Sequence, residues 1–264
     1  MNLLDRFKKV QDSIAAHAAK ARRDPKAITL IAVTKSASTE QLKQLVEVGH
    51  YDFGESRVQQ LQQRAAQIDE WLGRQQARRA AGVGSGAATE KHLPGPGALR
   101  WHMIGHLQRN KVKPVMTLCR YIHSVDSLRL AEEIQEEAER LNAPAAGSGP
   151  TVKPPPMQVL LEVNVAGEGT KFGVAVGAAQ HLAEQIDTMD EIQLVGLMGM
   201  APFSSNPEDA RPVFARLREI FEEIKFRKIG GEKFKHLSMG MSGDFGVAIE
   251  EGATMVRLGT AIFG

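Results

Sequence analysis

Short apolar runs alternate with amphipathic segments along most of the chain. Residues 28–35 read ITLIAVTK, a β-branched and almost unbroken apolar run that is typical of a strand buried on both faces. The same pattern predicts seven further strands, separated by segments with helical periodicity. These strands are predicted at residues 51–54, 99–105, 121–125, 158–165, 192–200, 236–240 and 255–263.

Eight strands separated by helices in a chain of 264 residues predict an α/β fold, the (β/α)8 TIM barrel. The alternative is an open doubly wound sheet, which often carries a glycine-rich first turn. Here residues 34–37 of the first turn read TKSA, without glycine. Residues 1–24 are predicted to form an N-terminal amphipathic helix of the fold, rather than a targeting segment. We expect this helix to cover the gap after the eighth strand, where the sequence shows no final helix.

We predict a single domain over residues 1–264 with two loop insertions. Residues 74–98 are rich in Gly, Ala, Arg and Pro, and residues 143–156 end in three prolines. Both compositions indicate loops without secondary structure of their own. Each insertion lies between a helix and the next strand, so on a barrel both lie on the face away from the active site.

Composition and charge exclude several classes of protein. The chain has 33 basic and 31 acidic residues and a net charge of +2, which gives no reason to expect binding to nucleic acid or membranes. Its one cysteine, Cys119, excludes a disulfide framework and a cysteine-based zinc site. No apolar run reaches the length of about 18 residues that a membrane span needs. We therefore expect a cytoplasmic monomer in a reducing compartment, with a mitochondrial pool left open.

Lys35 is the strongest candidate for a reactive side chain in this sequence. It ends the most apolar strand, in phase with Ile31 and Val33. In barrels the C-terminal ends of the strands carry the functional groups. Apolar surroundings favour the neutral amine, which can attack a carbonyl group and form a Schiff base. A lysine that simply leaves the strand for water is the alternative, and Lys35 alone does not decide between them.

A possible phosphate site follows the last two predicted strands. Residues 238–243 read SMGMSG and lead into a helix, where small residues expose backbone N–H groups and Ser242 adds a hydroxyl. Gly259 and Thr260 lie at the end of the chain, and barrels commonly bind phosphate with the loops after strands seven and eight. Tight turns are the alternative role for these residues. Together with Lys35, the pattern indicates a phosphorylated aldehyde that is bound covalently.

A series of motifs then resembles a known family. In chain order they are IAVTKS, FGES, LRWHMIGHLQRNK, HSVDS, LEVNV, GLMGM, HLSMGMSGDF and MVRLGTAIFG, between residues 31 and 264. With them the chain resembles the pyridoxal phosphate homeostasis proteins, single-domain relatives of the alanine racemase barrel. The resemblance implies a barrel of PLP fold type III with pyridoxal 5′-phosphate in aldimine linkage to Lys35. It also implies phosphate contacts from Ser242, Gly259 and Thr260, and Arg257 facing the pyridine nitrogen.

Further side chains are candidates for cofactor contacts, each with a purely structural role as the alternative. His102 and His106 flank Gly105 at the end of the third strand, and either could line the cofactor face. The family stretch reads FGEN where this chain has FGES, so the serine loses an amide contact near the ring. No metal is predicted. The further candidates are Ser56, His102, Asn164, Lys171 and Met239.

The function implied is cellular homeostasis of pyridoxal 5′-phosphate: storage, buffering or delivery, with transient contact to apoenzymes that accept it. An arginine beside the pyridine nitrogen disfavours its protonation and weakens the ring as an electron sink, so strong catalysis is not expected. Tyr51 and Tyr121 are the only tyrosines, and both are predicted at strand starts, far from a catalytic position. A pyridoxal-phosphate-dependent amino-acid racemase with Lys35 as base is the main alternative. A Schiff-base sugar-phosphate aldolase without a cofactor is the third.

Overall fold

The computed structural model of the chain describes residues 1–82, 93–143, 154–167 and 172–264. All strand pairs in these ranges are parallel. The strands are β1 (Thr29–Val33), β2 (Asp52–Glu55), β3 (Arg100–Met103), β4 (Cys119–Val125), β5 (Met157–Asn164), β6 (Val174–Ala175), β7 (Ile192–Met198), β8 (His236–Ser238) and β9 (Met255–Leu258).

Eight of these strands close into a ring. The order runs β1, β2, β3, β4, β5, β7, β8 and β9, and β9 pairs again with β1. The predicted (β/α)8 TIM barrel in a single domain is therefore confirmed, and the open sheet is wrong. The two-residue strand β6, which the sequence did not predict, pairs with β5 outside the ring.

Helices pack around the barrel. They are α1 (Leu3–Lys20), α2 (Thr39–Glu47), α3 (Val58–Ala80), α4 (Val112–Met116), α5 (Leu128–Asn142), α6 (Val176–Asp187), α7 (Arg211–Phe226), α8 (Phe245–Glu250) and α9 (Thr260–Phe263). Helix α3 corrects the first predicted insertion, because residues 74–80 continue the helix. Residues 83–92 and 144–153 lie outside the described ranges, so this part of each insertion stays a prediction.

The N-terminal helix α1 is confirmed, and it lies across the C-terminal end of the chain. Its apolar face is buried, and the helix contacts α8 and α9. The Arg6 side chain donates hydrogen bonds to the carbonyl oxygens of Ile262 (2.8 Å) and Phe263 (3.1 Å). The last predicted strand was too long, because β9 ends at Leu258 and a helical turn follows. Helix α9 therefore occupies part of the gap that the sequence left open.

Side-chain alternation divides the barrel interior into an apolar part and a polar part. The apolar part is a small cluster of buried side chains from four strands: Ile31, Leu160, Val195, Met198 and Met255. The polar part contains His102, His123, Ser238 and Arg257, which are also buried. Branched apolar side chains normally dominate the interior of such barrels. The buried polar groups therefore indicate that this part of the interior does more than pack the barrel.

A substitution of Gly196 tests the close pairing of β7 and β8. It lies opposite His236, and a Cβ atom at Gly196 would overlap the backbone carbonyl of His236. We expect Gly196→Ala to lower the free energy of unfolding by about 2–3 kcal/mol, because the strands would have to separate. Urea denaturation of the purified variant measures this change.

The matched control is Gly177→Ala. Gly177 lies in α6, where an added Cβ meets no neighbouring atom. This substitution should raise the stability by about 0.5–1 kcal/mol, the ordinary helical preference of alanine over glycine. Equal stability of the Gly196→Ala variant and the unaltered protein would contradict the observed strand register.

Candidate functional site

A cavity of about 590 Å³ opens at the C-terminal ends of the barrel strands. This size lies within the range of small-molecule sites. Residues from both ends of the chain form its wall, because closure of the barrel brings β1 and β9 together. Among the residues that the sequence singled out, those in the wall include Lys35, Ser56, His106, Ser242, Arg257, Gly259 and Thr260.

Lys35 reaches this cavity from a turn rather than from a strand. Strand β1 ends at Val33, and Thr34–Ser36 form one 3-10 turn. The buried Thr34 hydroxyl donates a hydrogen bond to Glu55 Oε1 (2.6 Å), which fixes the turn to β2. Two expectations were therefore wrong: Lys35 is not in the strand, and its side chain is exposed rather than enclosed by apolar groups.

Ser242 connects the loops that follow β8 and β9. Its Oγ accepts hydrogen bonds from the backbone N–H groups of Gly259 (3.3 Å) and Ala261 (3.2 Å). Gly243 also lines the cavity, and an added Cβ there would meet no atom within 4 Å, so its backbone borders open space. Thr260 is exposed beside them. The hydroxyls of Ser242 and Thr260, beside the open backbone at Gly243, form a donor set that suits a phosphate group.

Arg257 is buried at the base of the cavity. Its Nη1 donates to Ser238 Oγ (2.7 Å) and its Nη2 to the carbonyl oxygen of Gly199 (3.1 Å). Burial lowers the pKa of Arg257 to about 10, so the guanidinium remains charged at neutral pH. A guanidinium has five N–H donors, so donors beyond these two bonds remain for a ligand.

Glu162 is a cavity residue that the sequence analysis missed. It lies on β5, its side chain is only 3% exposed, and its Oε2 has no hydrogen-bond partner in the described part of the chain. Burial raises its pKa to about 7, the charge of Asp126 adds to this, and Arg257 opposes it. A signal was present, because this acidic residue interrupts an apolar strand and is in phase with the inward-facing Leu160.

His102 does not line the cavity, which corrects the prediction. It is fully buried deeper in the barrel, where its ring contacts His123 and Asp52. His106 does line the cavity. The His106 ring stacks on Phe172 with 3.9 Å between ring centroids, and its Nδ1 lies 3.2 Å from Asp126 Oδ2.

Three other candidates have different outcomes. Met239 is buried in the main hydrophobic core, away from the cavity, because Ser238 before it takes the inward position; the prediction for Met239 was wrong. Asn164 ends β5 and pairs with Ala175 of β6, and its contact with the cofactor stays a prediction. Lys171 lies outside the described residues, so its role stays a prediction.

No helix in the described ranges is long and apolar enough to cross a membrane. No group of three or more His, Cys, Asp or Glu side chains there could hold a metal ion.

Sequence comparisons match the whole chain. A family model described as the alanine racemase N-terminal domain matches residues 11–264. The pyridoxal phosphate homeostasis protein of Aquifex aeolicus is 36% identical, with 100% of this chain and 98% of that protein covered. The protein of the same name from Pseudomonas aeruginosa is 34% identical, with 99% and 95% covered.

Solved structures agree with these matches. PipY of Synechococcus elongatus, in its structure with PLP bound, is similar with a TM-score of 0.68 and 28% identity, covering 95% of this chain and all of that chain. An alanine racemase of Clostridium difficile shares the fold with a TM-score of 0.63 and 14% identity; the match covers 99% of this chain and 57% of the racemase. The chain therefore belongs to the alanine racemase N-terminal domain family and, within it, to the pyridoxal phosphate homeostasis proteins.

Proposed function

We propose that the protein binds pyridoxal 5′-phosphate in this cavity and stores, buffers or delivers it through a reversible Schiff base on Lys35. The observation that carries the proposal is the shared wall of one cavity, which contains the Lys35 amine together with the hydroxyls of Ser242 and Thr260 that suit a phosphate. Among the described residues that line the cavity, Lys35 is the one lysine. The PLP-bound structure of the related PipY supports the choice of ligand.

The exposure of Lys35 suits reversible attachment. When bound, pyridoxal 5′-phosphate supplies an aldehyde: the amine nitrogen bonds to the aldehyde carbon, and the oxygen leaves as water. Water or a second amine reverses this bond and releases the aldehyde. Because Lys35 is exposed at the mouth of the barrel, a second amine can approach it. Burial of this lysine would have favoured permanent attachment.

Arg257 favours storage over turnover. Its guanidinium is charged and borders the cavity, so a ring nitrogen placed against it would be held unprotonated. An unprotonated ring is a weaker electron sink. Neither tyrosine of the chain lines the cavity, and the Tyr121 ring stacks on His102 inside the barrel with 4.7 Å between centroids. These observations support a carrier more than a racemase.

Transfer to apoenzymes, a monomeric state and a cytoplasmic pool are parts of the same proposal. The cavity rim supports a transient protein contact, since Phe203 there is 98% exposed. An exposed aromatic ring beside a ligand site offers apolar area to a passing partner. Its small area is consistent with a contact that forms briefly during transfer.

Lys35→Ala tests the attachment point. The unaltered protein should turn yellow with pyridoxal 5′-phosphate and keep the label after borohydride reduction. The variant should do neither, and its circular dichroism should be unchanged because the Lys35 side chain is exposed. Lys26→Ala is the control, since Lys26 lies near the start of β1 at the other end of the barrel. A yellow, reducible Lys35→Ala protein would move the attachment to another lysine.

Ser242→Ala tests the phosphate site. We expect the affinity for pyridoxal 5′-phosphate to fall about tenfold, because a hydrogen bond to a charged group is lost. The affinity for pyridoxal, which has no phosphate, should change less than twofold. Fluorescence titrations with both ligands measure these changes. An equal loss for both ligands would place the phosphate elsewhere.

Glu162→Gln tests the buried carboxyl in the ligand-free cavity. The pKa of Glu162 rises from 4.5 to about 7 on folding, so the folded state holds a proton that the unfolded state releases between these values. This stabilisation is present below pH 4.5 and is lost as the pH rises through 7, by up to about 3 kcal/mol. Urea denaturation between pH 5 and pH 8 measures it.

The variant should lack this loss, so its stability relative to the unaltered protein should increase with pH. Glu219→Gln is the control because Glu219 is exposed and paired with Arg216 on the surface. A stability difference that is constant with pH would show that Glu162 does not titrate in this range.

A further inference from the structure

A line of hydrogen bonds crosses the barrel interior from the cavity to the opposite end. Arg257 Nη1 lies 2.7 Å from Ser238 Oγ, which lies 2.9 Å from His123 Nδ1. His123 Nε2 is 2.9 Å from His102 Nδ1, and His102 Nε2 is 3.2 Å from Asp52 Oδ1. These five residues are called the relay below. Ser238, His123 and His102 are fully buried.

The two ends of the relay have fixed roles. Arg257 can only donate hydrogen bonds. Arg100 donates to both carboxylate oxygens of Asp52, at 2.7 and 2.6 Å. Burial raises the pKa of Asp52, but the hydrogen bonds from Arg100 and His102 outweigh it and hold this pKa well below its usual range. Asp52 is therefore an anion that only accepts.

Burial keeps both imidazoles neutral. It lowers the pKa of His123 well below the usual value, and nearby positive charges act in the same direction. It also lowers the pKa of His102, although Asp52 opposes the shift. Each ring therefore carries one N–H group and one acceptor nitrogen. Which nitrogen holds the proton follows from the neighbours.

Only one arrangement of protons satisfies every group. Since Asp52 accepts, His102 donates from Nε2 and accepts at Nδ1. His123 then donates from Nε2 and accepts at Nδ1. Ser238 gives its hydroxyl proton to His123 and is left to accept from Arg257. The acceptor at one end of the barrel thus fixes the proton positions up to the cavity.

This order of protons stabilises and orients the guanidinium of Arg257. Every dipole in the relay turns its negative end toward Arg257 and its positive end toward Asp52, so both buried charges are stabilised. The Ser238 oxygen holds Nη1, and the Gly199 carbonyl holds Nη2. In the reverse order His123 would donate to Ser238, whose own proton would then need a new acceptor beside a cation.

We propose that Asp52, His102 and His123 are positioning residues for Arg257: they fix the direction of the relay and thereby the edge of the guanidinium that the ligand meets. The part of this proposal that concerns the ligand rests on the proposed function. The proton order itself is a property of the ligand-free protein.

The ligand-free protein gives the first test. Nitrogen-15 NMR of labelled histidines should show His102 and His123 each as a single tautomer with the proton on Nε2. Assignment by His102→Gln and His123→Gln identifies the two rings. A proton on Nδ1 of either ring in the unaltered protein would overturn the proposal.

Asp52→Asn and Arg100→Gln form a matched pair. An asparagine can both donate and accept, so the direction is no longer fixed and a second set of tautomers should appear. Arg100→Gln removes the ion pair but leaves Asp52 as an acceptor, so the tautomers should be unchanged. Both variants lose stability, so stability alone does not separate them. Unchanged tautomers in Asp52→Asn would reduce the relay to a structural role and overturn the proposal.

Ligand affinity then tests the effect on Arg257. We expect Asp52→Asn to weaken binding of pyridoxal 5′-phosphate about tenfold, as for the loss of one hydrogen bond to a charged group, and Arg100→Gln to change it less than twofold. Should Asp52→Asn not fold, Ser238→Ala breaks the relay at Arg257 and should show the same loss. Altered tautomers with unaltered affinity would refute the positioning of Arg257. Failure of the unaltered protein to bind the ligand would refute the proposed function and leave the tautomer result standing.

Discussion

The pairing of β1 with β9 is the contact on which the site depends. In this register Ile31 lies opposite Arg257, so the turn that carries Lys35 comes next to the loop that begins at Gly259. Joining the two ends of a chain costs conformational entropy, which only the cooperative burial of the whole core offsets. Helix α1 reinforces the closure, because Arg6 binds carbonyl oxygens of α9. The contacts that close the barrel therefore also bring the residues of the site together.

The polar groups inside this barrel differ in how completely their hydrogen bonds are satisfied. From Ser238 to Asp52 in the relay, every side-chain donor and acceptor has a partner, so this part of the network is rigid and has one direction. At the cavity, Glu162 keeps an oxygen without a partner in the described part of the chain, and Arg257 keeps donors beyond its two bonds. Unpartnered polar groups are costly in a folded protein unless a ligand or water reaches them. The distribution of partners thus separates scaffold from binding site.

The sequence predicted the barrel because β-branched runs and helical periodicity are local signals. Lys35 could be singled out because a polar group at a strand end stands out from an apolar run, whereas the role of Arg257 came only from the family resemblance. The turn at Thr34 could not be predicted, since its hydroxyl bonds to Glu55 of another strand. His102 was placed at the cavity because inward orientation is visible in a sequence, whereas depth along the barrel depends on the stagger between strands.

A crystal structure of the protein grown with pyridoxal 5′-phosphate tests most directly whether Lys35 holds this ligand. We expect electron density that is continuous from the Nζ atom of Lys35 to the ligand. The phosphate should lie against Ser242 and Thr260 and the ring nitrogen against Arg257. A ligand joined to a different lysine, or bound outside the cavity at the C-terminal ends of the strands, would refute the proposed function.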